Sequence, residues 1–159
     1  MATPLENTPG NPCVGCGPEH PTGLRLAFER EGDIVRTRFE ATASREGWPD
    51  RLHSGLLYLA MLETANWTLY GLGGRVGIPA RTSALDAKRW VATGETLILA
   101  GRAVAPRERE AAILVEAKDA TGASVASLSR EYDLPSRAEF LRRMGYERMP
   151  AGFEDALPP

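Results

Sequence analysis

Apolar and polar positions alternate over two short stretches early in the chain, merge into one long apolar run, and then alternate again. Leu24, Leu26 and Phe28 alternate with Arg25, Ala27 and Glu29, and Val35, Thr37 and Phe39 with Arg36, Arg38 and Glu40. A period of two is that of half-buried strands. Glu31-Gly32-Asp33 between them reads as a turn, so the pair forms a hairpin. The apolar run holds Leu56, Leu57, Leu59, Ala60, Met61, Leu62, Ala65, Trp67 and Leu69. They cover nearly every face of a helix, and such a helix is buried. Ser54 is placed to cap its start and Gly71, Gly73 and Gly74 to stop it. The run is too short for a membrane span of about 20 apolar residues. From Ser54 to Gly74 the only charged residue is Glu63.

Four further strand patterns follow at Arg81–Val91, Glu95–Val104, Glu110–Asp119 and Ser124–Leu134. Gly94-Glu95, Pro106-Arg107 and Asp119-Ala120-Thr121-Gly122 mark reversals between them. The gaps hold no crossover helix, so the sheet is expected to be mostly antiparallel. Pro135 ends it, and Ser136-Arg137-Ala138-Glu139 is a capping-box pattern opening a short amphipathic helix with Phe140, Leu141 and Met144 before Gly145. A helix apolar all round is hidden only by a strongly curved sheet, helped by a second subunit. The division expected is an N-terminal arm over 1–20, one α+β domain over 21–135, and a short helix with a loose tail over 136–159.

Composition narrows the class. The chain has 159 residues, 43% apolar and 25% charged, enough for one ordinary globular domain with a real core. A net charge of −2 offers no basic stripe, so nucleic acid is not expected as a partner. No signal peptide and no membrane segment are read, and two cysteines fit a reducing cytoplasm. Those cysteines form Cys13-Val14-Gly15-Cys16-Gly17, followed by His20. The spacing suits zinc, but a structural zinc site normally takes two such pairs, and the second is missing. A tight turn is the reading adopted, with no metal and no cofactor. A Gly-x-Ser-x-Gly elbow is absent, which excludes that route to a nucleophilic serine.

Several motifs stand in an order that is informative together. They are Cys13-x-x-Cys16-Gly17-Pro18 with Pro21-x-Gly23-Leu24, Gly47-Trp48-Pro49 leading into His53-x-Gly55-Leu56-Leu57, and Thr82-Ser83 with Trp90 and Gly94-Glu95-x-Leu97. Over about residues 13–135 the chain resembles the hotdog-fold acyl-CoA thioesterases, of the 4-hydroxybenzoyl-CoA and phenylacetate-pathway type. The resemblance implies a curved antiparallel sheet around one central helix. It also implies a homodimer, often paired again into a homotetramer, and an acyl-CoA bound at the subunit interface. In that family a carboxylate on the helix attacks the thioester or activates water, and a backbone N–H at the helix start holds the oxyanion. Serine at position 83 would touch the substrate from the facing strand, beside Thr82 and Trp48.

The physics of the helix start agrees. First-turn N–H groups of Ser54, Gly55 and Leu56 carry the positive end of the helix dipole, and donors held at a forming oxyanion are worth about 3–4 kcal/mol each. The sequence also departs from the family. The usual carboxylate position, nine residues after His53, is Leu62, and Glu63 lies about 100° further round the helix. Arg45 and Glu46 replace a His-Gln pair, and Ser54 replaces a glycine. Two readings therefore stand. In one, Glu63 or Glu46 is base or nucleophile, with Ser54 and Gly55 as oxyanion donors and His53 as orienting or catalytic group. In the other, the protein binds acyl-CoA or another small ligand without hydrolysing it. A dehydratase would need a histidine within the helix, and His53 precedes it. Asn66 is placed to satisfy Glu63. Trp48, Trp67 and Trp90 read as core or interface packing, and Asp86, Lys88 and Arg89 as a solvated face within reach of CoA phosphates.

Overall fold

The computed structural model describes residues 1–104 and 107–158. In chain order the strands and helices are β1 (Thr3–Leu5), β2 (Phe28–Glu31), β3 (Ile34–Glu40), β4 (Glu46–Trp48), β5 (Arg51–Leu52), α1 (Ser54–Gly73), β6 (Ile78–Thr82), β7 (Asp86–Ala87), β8 (Thr96–Val104), β9 (Glu110–Lys118), β10 (Ser124–Asp133) and α2 (Arg137–Met144). One sheet runs β1-β2-β3-β8-β9-β10-β6 with β7 also on β10, and every pairing is antiparallel. α1 lies across its central strands. This is the hotdog arrangement that the motifs imply. No described helix is long and apolar enough to cross a membrane.

The period-two patterns bury one face of each long strand. Val35 and Phe39, Leu97 and Leu99, Ile113 and Val115, and Ala126 and Leu128 are all buried in one core with Leu57, Met61 and Ala65 of α1. The sheet comes close to the helix at Gly101, where an added Cβ would stand 2.0 Å from Thr68 Oγ1. Thr64 and Thr68 are buried on that side, and each hydroxyl donates to a carbonyl one turn back, to Ala60 O at 2.8 Å and Thr64 O at 2.6 Å. Buried hydroxyls are thus satisfied within the helix, as burial requires.

Several elements differ from the sequence reading. The helix cap is His53, not Ser54: its Nδ1 accepts from Gly55 N–H at 3.0 Å. An imidazole nitrogen serves the orphan donor as a hydroxyl would. The first strand is shorter than its alternation, because Arg25 has φ +53 and the ladder begins only at Phe28, although Leu24 and Leu26 remain buried. The Arg81–Val91 run breaks into β6 and β7. On this edge strand Ser83 N–H still donates to Ser129 O at 2.9 Å, while the Ser83 hydroxyl, in place of its carbonyl, accepts from Ser129 N–H at 3.0 Å. Of the arm, Thr3–Leu5 adds a strand beside β2. The tail expected to be loose lies against the domain: Ala156 and Leu157 are buried, and Val76 N–H donates to Ala156 O at 3.1 Å. The reversal at Pro106-Arg107 falls partly outside the described residues.

The turn at Asp119 carries a pH prediction. Its carboxylate accepts from Thr121 Oγ1 at 2.6 Å and Arg89 Nη2 at 3.0 Å, as well as from the N–H groups of Thr121 and Ala123. Those bonds, the Thr121 hydroxyl first, lower its pKa from 3.8 to about 2. A lowered folded-state pKa gives stability that is full above the unfolded value and is lost as pH falls through the folded one. The turn is therefore expected to hold to below pH 3.8 and to release near pH 2. Carboxyl-carbon NMR titration of Asp119 checks this, and a midpoint near the unfolded value would show the bonds are not formed.

Candidate active site on the central helix

The residues singled out in the sequence separate into two groups. The first gathers at the start of α1. β4 and β5 form a small ladder with Glu46 opposite Leu52 and Trp48 opposite Arg51, and Asp50 turns it at φ +58. His53 N–H donates to Arg45 O at 2.9 Å, so the ladder is tied to the helix entry. The approach is close at Gly47, where an added Cβ would stand 3.0 Å from His53 Cα. Glu46, Trp48, His53, Ser54 and Gly55 are therefore neighbours, and all five are exposed to solvent in the single chain. Leu56 N–H donates to the His53 carbonyl at 3.0 Å and Gly55 N–H to the His53 ring. Ser54 N–H has no acceptor among the described residues, which leaves it and, after a turn of the imidazole, Gly55 N–H as donors for an anion.

The second group surrounds Glu63, nine residues on and about 13 Å along the helix axis. Glu63 Oε2 accepts from the Cys13 thiol at 3.5 Å and Oε1 from Asn66 Nδ2 at 3.3 Å. Asn66 Oδ1 in turn accepts from Tyr132 Oη at 2.8 Å and Arg130 Nη1 at 3.3 Å. No ion pair among the described residues involves Glu63. The arm packs directly over it: an added Cβ on Gly15 would lie 2.3 Å from Glu63 Cγ. Burial, with Glu63 nearby, pushes the Cys16 thiol well above its ordinary pKa, and burial raises Tyr132 likewise. Both are therefore protonated at neutral pH. Glu63, Cys13, Cys16, Asn66 and Tyr132 share a pocket of about 340 Å³ whose other walls include Trp67, Tyr70, Ile78, Phe140 and Phe153.

The sequence reading did not anticipate that pocket. Its polar groups come from the arm, from α1 and from β10, and its far wall from α2 and the tail, where Phe153 sits 5.7 Å from Tyr70. The one available signal was Cys13-x-x-Cys16-Gly17, read as a turn by itself. Thr82 and Ser83 lie elsewhere, on the sheet edge against β10, with Ser83 occupied by Ser129. Arg89 is held by Glu95 at 2.7 Å and Asp119 at 3.0 Å, and Lys88 pairs with Asp86. Trp67 is core at 7% exposure, stacked on Phe28 at 5.1 Å, whereas Trp48 and Trp90 are 70% and 62% exposed and are not core in the single chain. Leu62 and its neighbours Tyr58 and Leu59 are half-buried on a face of α1 that the sheet does not cover.

No protein-family model and no curated protein matches this sequence. Solved structures do match. A protein described as belonging to the thioesterase superfamily superposes with a TM-score of 0.70 at 22% identity, over 77% of this chain and 60% of its own. The present chain shares the fold of that structure. The present chain spans less than two thirds of the length of that relative. The Escherichia coli PaaI protein from the phenylacetic acid degradation operon matches with a TM-score of 0.63 at 13% identity, over 70% of this chain and 81% of its own. A Streptococcus mutans UA159 protein, solved bound to acetyl-CoA, matches with a TM-score of 0.61 at 14% identity, over 68% of this chain and 87% of its own.

Proposed function

We propose that this hotdog protein hydrolyses an acyl-CoA or acyl-carrier thioester, with Glu63 as the general base. The observation that carries the reading is a carboxylate on the central helix, free of any ion pair among the described residues, in the wall of a mainly apolar pocket. Such a carboxylate takes a proton from water, and the water oxygen adds to the thioester carbonyl. Collapse of the tetrahedral intermediate breaks the C–S bond, and the departing thiolate takes up the proton. The acyl group suits the aromatic walls, and CoA-bound relatives of the same fold support the choice of thioester.

An oxyanion needs donors, and the helix-start N–H groups of Ser54 and Gly55 lie about 13 Å from Glu63 along one helix. Both sets meet only if a second copy supplies one of them. A homodimer with the two α1 helices antiparallel brings the start of one beside the middle of the other. Tyr58, Leu59 and Leu62 provide its apolar seam, and the exposed Trp48 and Trp90 its flanks. Sedimentation at micromolar concentration is expected to give a dimer or tetramer, and a monomer would remove the shared site. Glu46, at the helix entry, is the competing carboxylate.

The test is thiol release from short, medium, long and aryl acyl-CoAs by the parent, Glu63→Gln, Glu46→Ala and Leu62→Asp. Turnover in the parent that is lost in Glu63→Gln carries the proposal. A parent without turnover that gains it in Leu62→Asp would instead make this a ligand-binding relative.

A further inference from the structure

The arm motif and the helix carboxylate were separate features of the sequence, and the fold joins them. Cys13 Sγ, Cys16 Sγ and a Glu63 carboxylate oxygen all lie within 4.8 Å of one another. We propose that they form a zinc site, Cys13-Cys16-Glu63, with its fourth position opening into the 340 Å³ pocket that all three residues line.

The spacing supports three ligands on one ion. Zinc takes sulfur at about 2.3 Å and carboxylate oxygen at about 2.0–2.2 Å in a tetrahedron, which sets the S···O edge at about 3.6 Å. Cys13 Sγ and Glu63 Oε2 stand 3.5 Å apart. The widest edge present needs no more than about 1 Å of side-chain movement to reach tetrahedral spacing.

Each sulfur already receives an N–H donor, Cys13 from Gly15 N–H at 3.3 Å and Cys16 from Asn11 Nδ2 at 3.7 Å. Such outer donors orient ligating groups and stabilise their charge. Asn11 is itself held, since its Oδ1 accepts from Cys13 N–H at 3.0 Å and its Nδ2 also donates to Asn7 at 2.9 Å. The turn is braced by Gly17 N–H on Cys13 O at 2.8 Å. Gly17 has no room for a side chain, because a Cβ would stand 2.4 Å from Asn11 O. Two thiolates make the site soft, which favours zinc over magnesium or calcium. Three protein ligands with one open position match zinc sites that exchange a water or a ligand, not closed structural ones.

The consequence rests on the proposed function: Glu63 cannot at once ligate the ion and take a proton from water, so zinc occupancy and carboxylate catalysis exclude each other. The site itself does not depend on turnover. The full chain, kept reduced with a phosphine and stripped of metal, is titrated with zinc against a chromogenic chelator. One ion per chain is expected. Cys13→Ser and Cys16→Ser should each weaken it by at least about tenfold, since even outer-shell partners of a metal contribute that much. Cobalt(II) in place of zinc should show thiolate-to-metal charge-transfer absorption in the parent. That band is reduced in either serine variant and kept in Glu63→Gln, whose d–d bands shift. No charge-transfer band in the parent overturns the site without any variant having to fold, as does zinc uptake that both serine variants leave unchanged. A protein that hydrolyses thioesters but takes no zinc sinks only this inference, and one that takes zinc without hydrolysing sinks only the catalytic proposal.

Discussion

Glu63→Gln is expected to lower kcat for thioester hydrolysis by about a hundredfold to ten-thousandfold, the range that a positioned general base supplies. KM should change little, because the amide fills the same space beside Gly15 and keeps a hydrogen-bonding partner in Asn66. A loss in kcat alone marks an interaction made at the transition state. Glu46→Ala should retain most activity, because Glu46 is exposed at the helix entry. If Glu46→Ala loses the activity and Glu63→Gln keeps it, the base is at the helix start and the Glu63 pocket has another use. Melting curves of both variants separate chemistry from folding. The Glu63 network contains no ion pair among the described residues, so Gln at this position should leave the melting temperature within a few degrees of the parent.

The largest stability effect is expected at Gly101. A methyl group there would stand 2.0 Å from Thr68 Oγ1 and 3.0 Å from Thr68 Cβ, inside a packed interface between β8 and α1. Atoms that close must move apart, and neither the central strand nor a helix buried on it can yield freely. Gly101→Val is expected to cost about 3 kcal/mol, the upper end for overpacking of a core. The smaller Gly101→Ala should cost less, and Thr68→Ala should recover part of that loss by removing the nearest atoms. Denaturant unfolding of the four members of that cycle measures the coupling. Purely additive effects would mean that the two residues do not touch. The same contact explains why a glycine is tolerated in the interior of a long strand, where its lack of a side chain ordinarily weakens the sheet.

These two predictions draw on different amounts of what the sequence shows. Glu63 was legible because it is the only charge in an apolar helix. Its partners were not, since Cys13 is 50 residues away and Tyr132 is on the last strand. Gly101 looked like any strand glycine, because nothing local records which helix residue lies above it. The choice of His53 over Ser54 as cap was also hidden: both residues precede the apolar run, and only the backbone path set by the Arg45 contact decides which side chain reaches Gly55 N–H. Trp48, Trp67 and Trp90 were equivalent as aromatic residues, yet one is core and two are exposed.

By itself the sequence determined the long strands, the helix and the antiparallel sense of the sheet, with reversals of the kind that put Gly32, Gly94 and Gly122 at positive φ. Those features follow from period, turn chemistry and caps, which act between residues close in the chain. It also determined that the helix would be wrapped by a curved sheet, because a helix apolar all round has no other stable setting. Tertiary structure alone decided that β6 and β7 lie on β10 and not on the next strand, β8. It also decided that the Cys13-Cys16 turn lies on Glu63, that the helix-start donors and Glu63 are far apart in one chain, and that the tail closes a pocket. Those are contacts between distant segments, set by how the curved sheet and the arm fit round the helix. Local propensity carries no record of that fit.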